Sequence, residues 1–269
     1  MIQTSPIDLD RYLDRIGFTG KVARNAETLH ALHLAHTTHV PFENLDVLQG
    51  LPIRLDLPSL VDKMVDSRRG GYCFEQNGLF TAVLEFIGFR ITRLSGRVRL
   101  FNRLMPRTHM VFLAEADGRQ WLGDVGFGGW GLFEPIPLEL DRPVQQHGWT
   151  FALRQEDNQY VLQCAECPIA VDQYAFTLEP HLPIDYEPAN HYCATHPESR
   201  FVQTLTAQLP TLEGRYILRN REFITITPNG VNTEILENSA ALLGVLKERF
   251  GIDLPEGCEF PKVFAAASE

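Results

Sequence analysis

Near Arg90 the hydrophobic period of the chain changes from about 3.6 residues to about two, and that change rules out most ways of folding it. Before it, apolar residues recur at helical spacing. Pro6 to Ile16 (Ile7, Tyr12, Leu13, Ile16) predicts one helix, stopped at Gly17. Asn25 is the expected N-cap of a second, carrying Leu29, Leu32 and Ala35 and ending before Pro41. Ser59 is the expected cap of a third, with Leu60, Met64 and Val65 on one face. A fourth starts near Cys73, carries Leu79, Phe80, Val83, Leu84, Phe86 and Ile87, and stops at Gly88. After Arg90 come short β-branched and aromatic segments: Ile91–Leu100, Thr108–Glu115, Gln120–Val125, Thr150–Arg154, Gln159–Cys164 and Ala175–Leu178. Pro180 to Pro197 is rich in proline with little periodicity, and is expected to be a linker. A short helix over Arg200–Ala207 follows. Three strands (Gly214–Arg219, Glu222–Thr227, Val231–Leu236) are joined by turns at Asn220-Arg221 and Asn229-Gly230, before a helix over Ser239–Phe250. Helices followed by strands exclude the alternating pattern of a parallel doubly wound sheet. The expected class is α+β: a helical bundle over 1–90, an antiparallel β-barrel-like domain with linker over 91–199, and a small α/β lid over 200–269.

Charge narrows the partners. Lys and Arg number 24 against 34 Asp and Glu, a net charge of −10, opposite in sign to a protein that binds nucleic acid through its phosphates. No apolar run approaches the roughly 18 residues of a spanning helix, so no membrane association is expected. Asp8, Asp10 and Asp14 interrupt the N-terminus where a signal peptide needs an apolar stretch. Five cysteines, an odd number, point to reduced thiols and a cytoplasmic location. No feature sets an oligomeric state.

The stretch Arg69-Gly70-Gly71-Tyr72-Cys73-Phe74-Glu75-Gln76-Asn77 carries the first chemical signal. Two glycines permit a tight turn and place Cys73 in the first turn of an apolar helix, where free N–H groups and the helix dipole favour a thiolate. A cysteine buried only for packing has no need of such a lead-in. A nucleophile needs a base, and His109 lies on a strand that runs into the turn Asp117-Gly118. A two-residue hairpin sets Ala116 opposite Arg119. Extrapolated, it puts His109 opposite Gly126, and Asp124 opposite Val111. His109 and Asp124 then share a face as diagonal neighbours, about 7–8 Å apart at Cβ, and Gly126 is expected to leave open space beside the ring. Cys73, His109 and Asp124 are thus candidates for a catalytic triad.

With these residues in place the chain resembles the arylamine N-acetyltransferase family. The matching blocks are Pro41-Phe42-Glu43-Asn44-Leu45-Asp46, Arg68 to Glu75, Gly96-Arg97-Val98, Pro106-Arg107-Thr108-His109 and Asp124-Val125-Gly126-Phe127-Gly128-Gly129, spread over roughly residues 35–130. The resemblance implies the triad Cys73–His109–Asp124, a core like that of papain and transglutaminase-like thiol enzymes, and a ping-pong transfer of acetyl from acetyl-CoA to an arylamine or arylhydrazine. It implies no permanently bound cofactor and no metal. It assigns Thr108, Gly126, Gly128 and Gly129 to coenzyme A, Phe42, Val98, Phe127 and Phe201 to the acceptor pocket, and a bracing ion pair to Glu43 and Arg69. Arg90, Arg93, Arg97, Arg99, Arg103 and Arg107 form a basic run with no acidic residue between Glu85 and Glu115, suited to coenzyme A phosphates. The alternative function is a papain-like thiol hydrolase or amide synthase using the same triad.

Two other patterns point away from metals and redox chemistry. His30, His33, His36 and His39 step by three, which on a 3.6-residue helix fans them around the surface. Cys164-Ala165-Glu166-Cys167 lacks a second ligand pair, and Pro168 follows it, so ordinary cysteines are expected.

Overall fold

The computed structural model describes residues 7–101, 103–167, 169, 171–227, 229–255 and 257–264. Pro6 and Pro168 lie outside them. The change of period near Arg90 is a change of structure: helices run up to Ile87, and the first long strand begins at Arg90.

Asn25 caps the helix Ala26–His39, its side-chain oxygen accepting from the Thr28 N–H at 2.9 Å. Gly88, at φ +105°, closes the helix Cys73–Ile87. That helix buries Leu79, Phe80, Val83 and Leu84 against Tyr12, Ile16, Leu29 and Leu32, and against Phe112 and Ala114 of the adjoining strand. The third helix starts earlier than expected. Asp56 is its cap, accepting from the Ser59 N–H at 3.0 Å, and Leu57–Val61 runs on into a π-turn over Asp62–Asp66.

Two antiparallel sheets follow. The larger, barrel-like one has eight strands, in the order Ile136–Pro137, Arg119–Gly123, His109–Ala116, Arg90–Val98, Asp172–Phe176, Gln159–Cys164, Trp149–Glu156 and Val144–Gln146. The smaller orders Phe42–Glu43, Thr206–Thr211, Gly214–Arg219, Glu222–Thr227 and Gly230–Ile235, with the helix Ser239–Phe250 packed on it. The two-residue strand Phe42–Glu43, too short to show a period, joins the region before Cys73 to the smaller sheet.

Several expectations are corrected. Pro180–Pro197 is not a plain linker: it holds a 3₁₀ turn over Pro183–Tyr186 and a helix over Glu187–Thr195, with Pro188 tolerated in the first turn. The helix at Arg200 ends at Gln203, and Thr206–Thr211 is a strand, because its apolar residues pair into a sheet the local pattern does not show. Thr227 pairs with Gly230, so Gly230 opens the strand and does not sit in the turn with Asn229. Among the described residues no helix is long and apolar enough to cross a membrane.

Candidate active site

The backbone before Cys73 is held by close packing. Neither Gly70 nor Gly71 adopts a positive φ; Arg68 does, at 51°. A Cβ on Gly70 would lie 1.9 Å from the Pro41 carbonyl oxygen, and one on Gly71 2.7 Å from the Glu75 carboxylate. The glycines therefore serve close approach and not the turn assigned to them from sequence. The Tyr72 N–H donates to Glu75 at 2.9 Å, and Lys63 reaches Glu75 and Asp46, each at 2.7 Å. Arg69 bridges Glu43 and Asp46, both at 2.8 Å, so the expected Glu43–Arg69 pair is present within a larger network. Burial pushes the Glu75 carboxyl up, against the pull of Lys63.

Cys73 opens its helix, and its N–H has no intrahelical acceptor. Its thiol donates to the Thr108 carbonyl oxygen at 3.6 Å, with His109 close enough to act on its ionisation. His109 Nε2 lies 2.7 Å from Asp124 Oδ2, leaving Nδ1 to serve the sulfur. Cys73, His109 and Asp124 are all nearly inaccessible to solvent. Burial opposes the imidazolium, yet the charge and hydrogen bond of Asp124 outweigh it and hold His109 up at about 10. Burial likewise opposes the Asp124 carboxylate, which His109, Asn77 and the Gly126 N–H keep below its ordinary range. Burial pushes the Cys73 thiol up, and the His109 hydrogen bond and charge pull against that. The arrangement is a buried base, made strong by a carboxylate, beside a thiol at a helix N-terminus.

The histidine and aspartate meet by a route that differs in detail from the hairpin arithmetic. Ala116 does pair with Arg119, through a turn with Asp117 at φ 51° and Gly118 at 74°. The ladder ends at Phe112 and Gly123, however, so neither His109–Gly126 nor Val111–Asp124 is a cross-strand pair. The chain leaves the sheet at Asp124 because other elements take its backbone: the Asp124 N–H donates to His33 Nε2 and the Val125 N–H to Asn77 Oδ1, each at 3.0 Å. The side of Gly126 where a Cβ would stand is taken by the Cys73 backbone and not by open space. A Cβ there would lie 2.7 Å from the Cys73 Cα, so its absence lets this segment rest on the helix Cys73–Ile87. The residue paired with His109 is Gly96.

Sequence reasoning missed Asn77, His33 and Tyr174. Asn77, one turn after Cys73, donates to Met110 O at 2.8 Å and Asp124 Oδ1 at 3.0 Å. Its signal was a polar side chain at i+4 from Cys73, on the same face of the helix. His33 accepts from Asp124 N, so its Nδ1 carries the proton and donates to Phe133 O at 2.8 Å; burial pushes it down to about 4. His33 and His36 are buried, contrary to the expected surface fan, because this helix is covered on both those faces. Among the described residues no group of three or more His, Cys, Asp or Glu is placed to hold a metal. Tyr174 packs against His109 with ring centroids 4.9 Å apart. Cys164 and Cys167 are buried free thiols.

A cavity of about 330 Å³ opens onto Cys73 and His109. Phe42, Val98, Phe127 and Phe201 line it, as do Thr108 and Gly126. Gly128 and Gly129 do not. They pack against Gln208, whose Oε1 would meet a Cβ at 2.8 and 2.9 Å. Most of the arginine run is spoken for by acids, two of them bounding the run and two from far along the chain: Arg93 by Glu85 (2.6 Å) and Arg90 by Glu115 (3.6 Å), Arg99 by Glu156 (2.8 Å) and Arg107 by Glu179 (3.7 Å). Arg97 donates to the Met105 carbonyl. Arg200 and Arg219 instead line the cavity, with Glu198 exposed nearby, and Arg200 sits 4.5 Å over the Phe101 ring.

A family model described as N-acetyltransferase matches residues 25–258. An arylamine N-acetyltransferase of Mycolicibacterium smegmatis is 42% identical over 257 residues, covering 92% of this chain and 93% of that one. The solved arylamine N-acetyltransferase of M. tuberculosis superposes with a TM-score of 0.90 at 35% identity, covering 95% of this chain and 99% of that one. The Mycobacterium marinum arylamine N-acetyltransferase in complex with CoA gives 0.89 at 34% identity, covering 95% and 97%.

Proposed function

The chain belongs to the arylamine N-acetyltransferase family, and from that membership we propose that it carries acetyl from acetyl-CoA to an arylamine or arylhydrazine as a thioester on Cys73. The buried Asp124–His109 contact beside a helix-opening cysteine is the observation that carries the mechanism. With the thiol proton held on His109 Nδ1 as an imidazolium–thiolate pair, the thiolate attacks the thioester carbonyl of acetyl-CoA. The Cys73 N–H donates to the oxyanion. Coenzyme A departs with the proton from His109. The amine then attacks acetyl-Cys73, gives a proton to His109, and leaves as the amide while the thiol is restored.

The aromatic wall of Phe42, Phe127 and Phe201 favours a flat aromatic amine over water, which supports transfer over hydrolysis. We assign Thr108 and Gly126 to the acetyl-CoA path, and Arg200 with Arg219 to its anionic end. A cysteine opening a helix that packs on a sheet bearing histidine is the plan of a papain- and transglutaminase-like core. Five free cysteines, one of them the nucleophile, suit a reducing cytoplasmic setting.

Incubation with acetyl-CoA and no amine tests the scheme. One acetyl group on Cys73 and one equivalent of coenzyme A are expected, by intact-protein and peptide mass spectrometry. Coenzyme A release only when amine is also present would overturn the covalent route in favour of direct transfer.

A further inference from the structure

Arg215, in the strand Gly214–Arg219 of the smaller sheet, is fully buried, and among the described residues no carboxylate pairs with it. Its guanidinium lies in an aromatic cage, 4.4 Å from the Trp149 ring centroid, 4.5 Å from Phe133 and 5.7 Å from Trp130. One Nη donates to the Gly129 carbonyl and the other to that of Gly131, at 3.4 Å for the latter. Nε has no partner. Burial pushes the group down to about 9, which leaves it charged at neutral pH.

Burying a cation without a counter-charge is costly, and an apolar side chain of similar volume would fill an aromatic cage at least as well. Packing therefore does not explain the arginine. What an apolar residue cannot supply is a rigid fork of donors to two carbonyls of one turn. That turn is also gripped from its other side, where the Gly129 N–H donates to Gln208 at 2.5 Å. It follows directly on Asp124 and Phe127. Phe127 lines the cavity and meets His109 edge-on at 5.1 Å.

We propose that Arg215 is a positioning residue for acetyl transfer: reaching from the smaller sheet, it fixes the turn 126–131 so that Phe127 stays against His109 and in the acceptor wall. This rests on the thioester reading above. The variants are Arg215→Met, Arg215→Lys and, as a control on the same sheet's helix, Arg249→Met, which is exposed. Each is assayed well below its melting midpoint, so that only folded protein is measured. Single-turnover coenzyme A release without amine should fall about 10-fold or more in Arg215→Met, as for a small misplacement of reacting groups, and amine KM should rise. Arg215→Lys, with donors for one carbonyl, should recover part of both, and Arg249→Met should match wild type. The NMR shifts of the His109 ring protons, to which the Phe127 ring current contributes alongside that of Tyr174, should move in Arg215→Met and not in Arg249→Met. A lower melting midpoint with wild-type rate, KM and His109 shifts would mean a purely structural residue and overturn the proposal. If Arg215→Met does not fold, wild-type values of all three in Arg215→Lys overturn it equally. Should wild-type protein release no coenzyme A, the thioester reading fails, while the ring shifts still judge whether Arg215 holds Phe127 on His109.

Discussion

Asp124→Asn separates the charge of the proposed triad's third member from its shape, and the surroundings dictate how the amide will sit. Asn77 Nδ2 and the Gly126 N–H both donate to Asp124 Oδ1 at 3.0 Å. An amide must keep its oxygen there to satisfy two buried donors, so its NH₂ points at His109 Nε2. The ring then accepts at Nε2 and carries its proton on Nδ1, the atom that must take the Cys73 proton. The carboxylate, with a smaller share from Cys73, also holds His109 at about 10 in place of 6.5, a preference for the imidazolium on the order of 5 kcal/mol. Losing most of that from the proton-transfer step slows acylation roughly 10³- to 10⁴-fold, in keeping with the handful of powers of ten that the same change costs in serine-protease triads. The assay is stopped-flow coenzyme A release in a single turnover without amine, with circular dichroism to confirm folding. Asp157→Asn, in an exposed hairpin turn, is the control. Acylation by Asp124→Asn within a few-fold of the control would refute both the tautomer argument and the assignment of Asp124.

Three further outcomes follow from the same contacts. His109 is raised to about 10, so its protonated form stabilises the fold fully below pH 6.5 and that contribution fades as pH rises towards 10; the melting-point gap between wild type and His109→Gln should narrow from pH 7 to 10, and a constant gap would contradict it. Lys63→Met leaves Glu75 buried without its cation and should cost about 3–5 kcal/mol in urea denaturation, whereas a change below ~1 kcal/mol would show that Arg69 alone neutralises the cluster. Gly126→Ala drives a methyl against the Cys73 backbone, which has no flexible end to yield; destabilisation of about 1–3 kcal/mol and a marked loss of acylation are expected, and wild-type acylation would show that the contact relaxes harmlessly.

What the chain alone determined is what depends on neighbours along it. The change of period at Arg90, the Asn25 cap, the Gly88 stop and the Asp117-Gly118 turn are all local, and each is where the sequence puts it. The place of Cys73 at a helix start was legible for the same reason, since a helix start is a local event. The His109–Asp124 contact was legible as a pairing but not in its mechanism. Hairpin geometry brings the two strands together, yet it is His33 and Asn77, from two separate helices, that lift Asp124 out of the ladder and aim its carboxylate. Wherever the outcome rested on distant partners, local reading failed. The arginine run looked free because its acids, such as Glu156 and Glu179, come from far along the chain. The glycines after Asp124 looked open because the side chain that fills them, Gln208, belongs to the other sheet. Hydrogen bonding and backbone sterics within a few residues are written in the sequence; which side chains fill a cavity, cancel a charge or fix a tautomer is decided only when segments far apart in the chain are packed against one another.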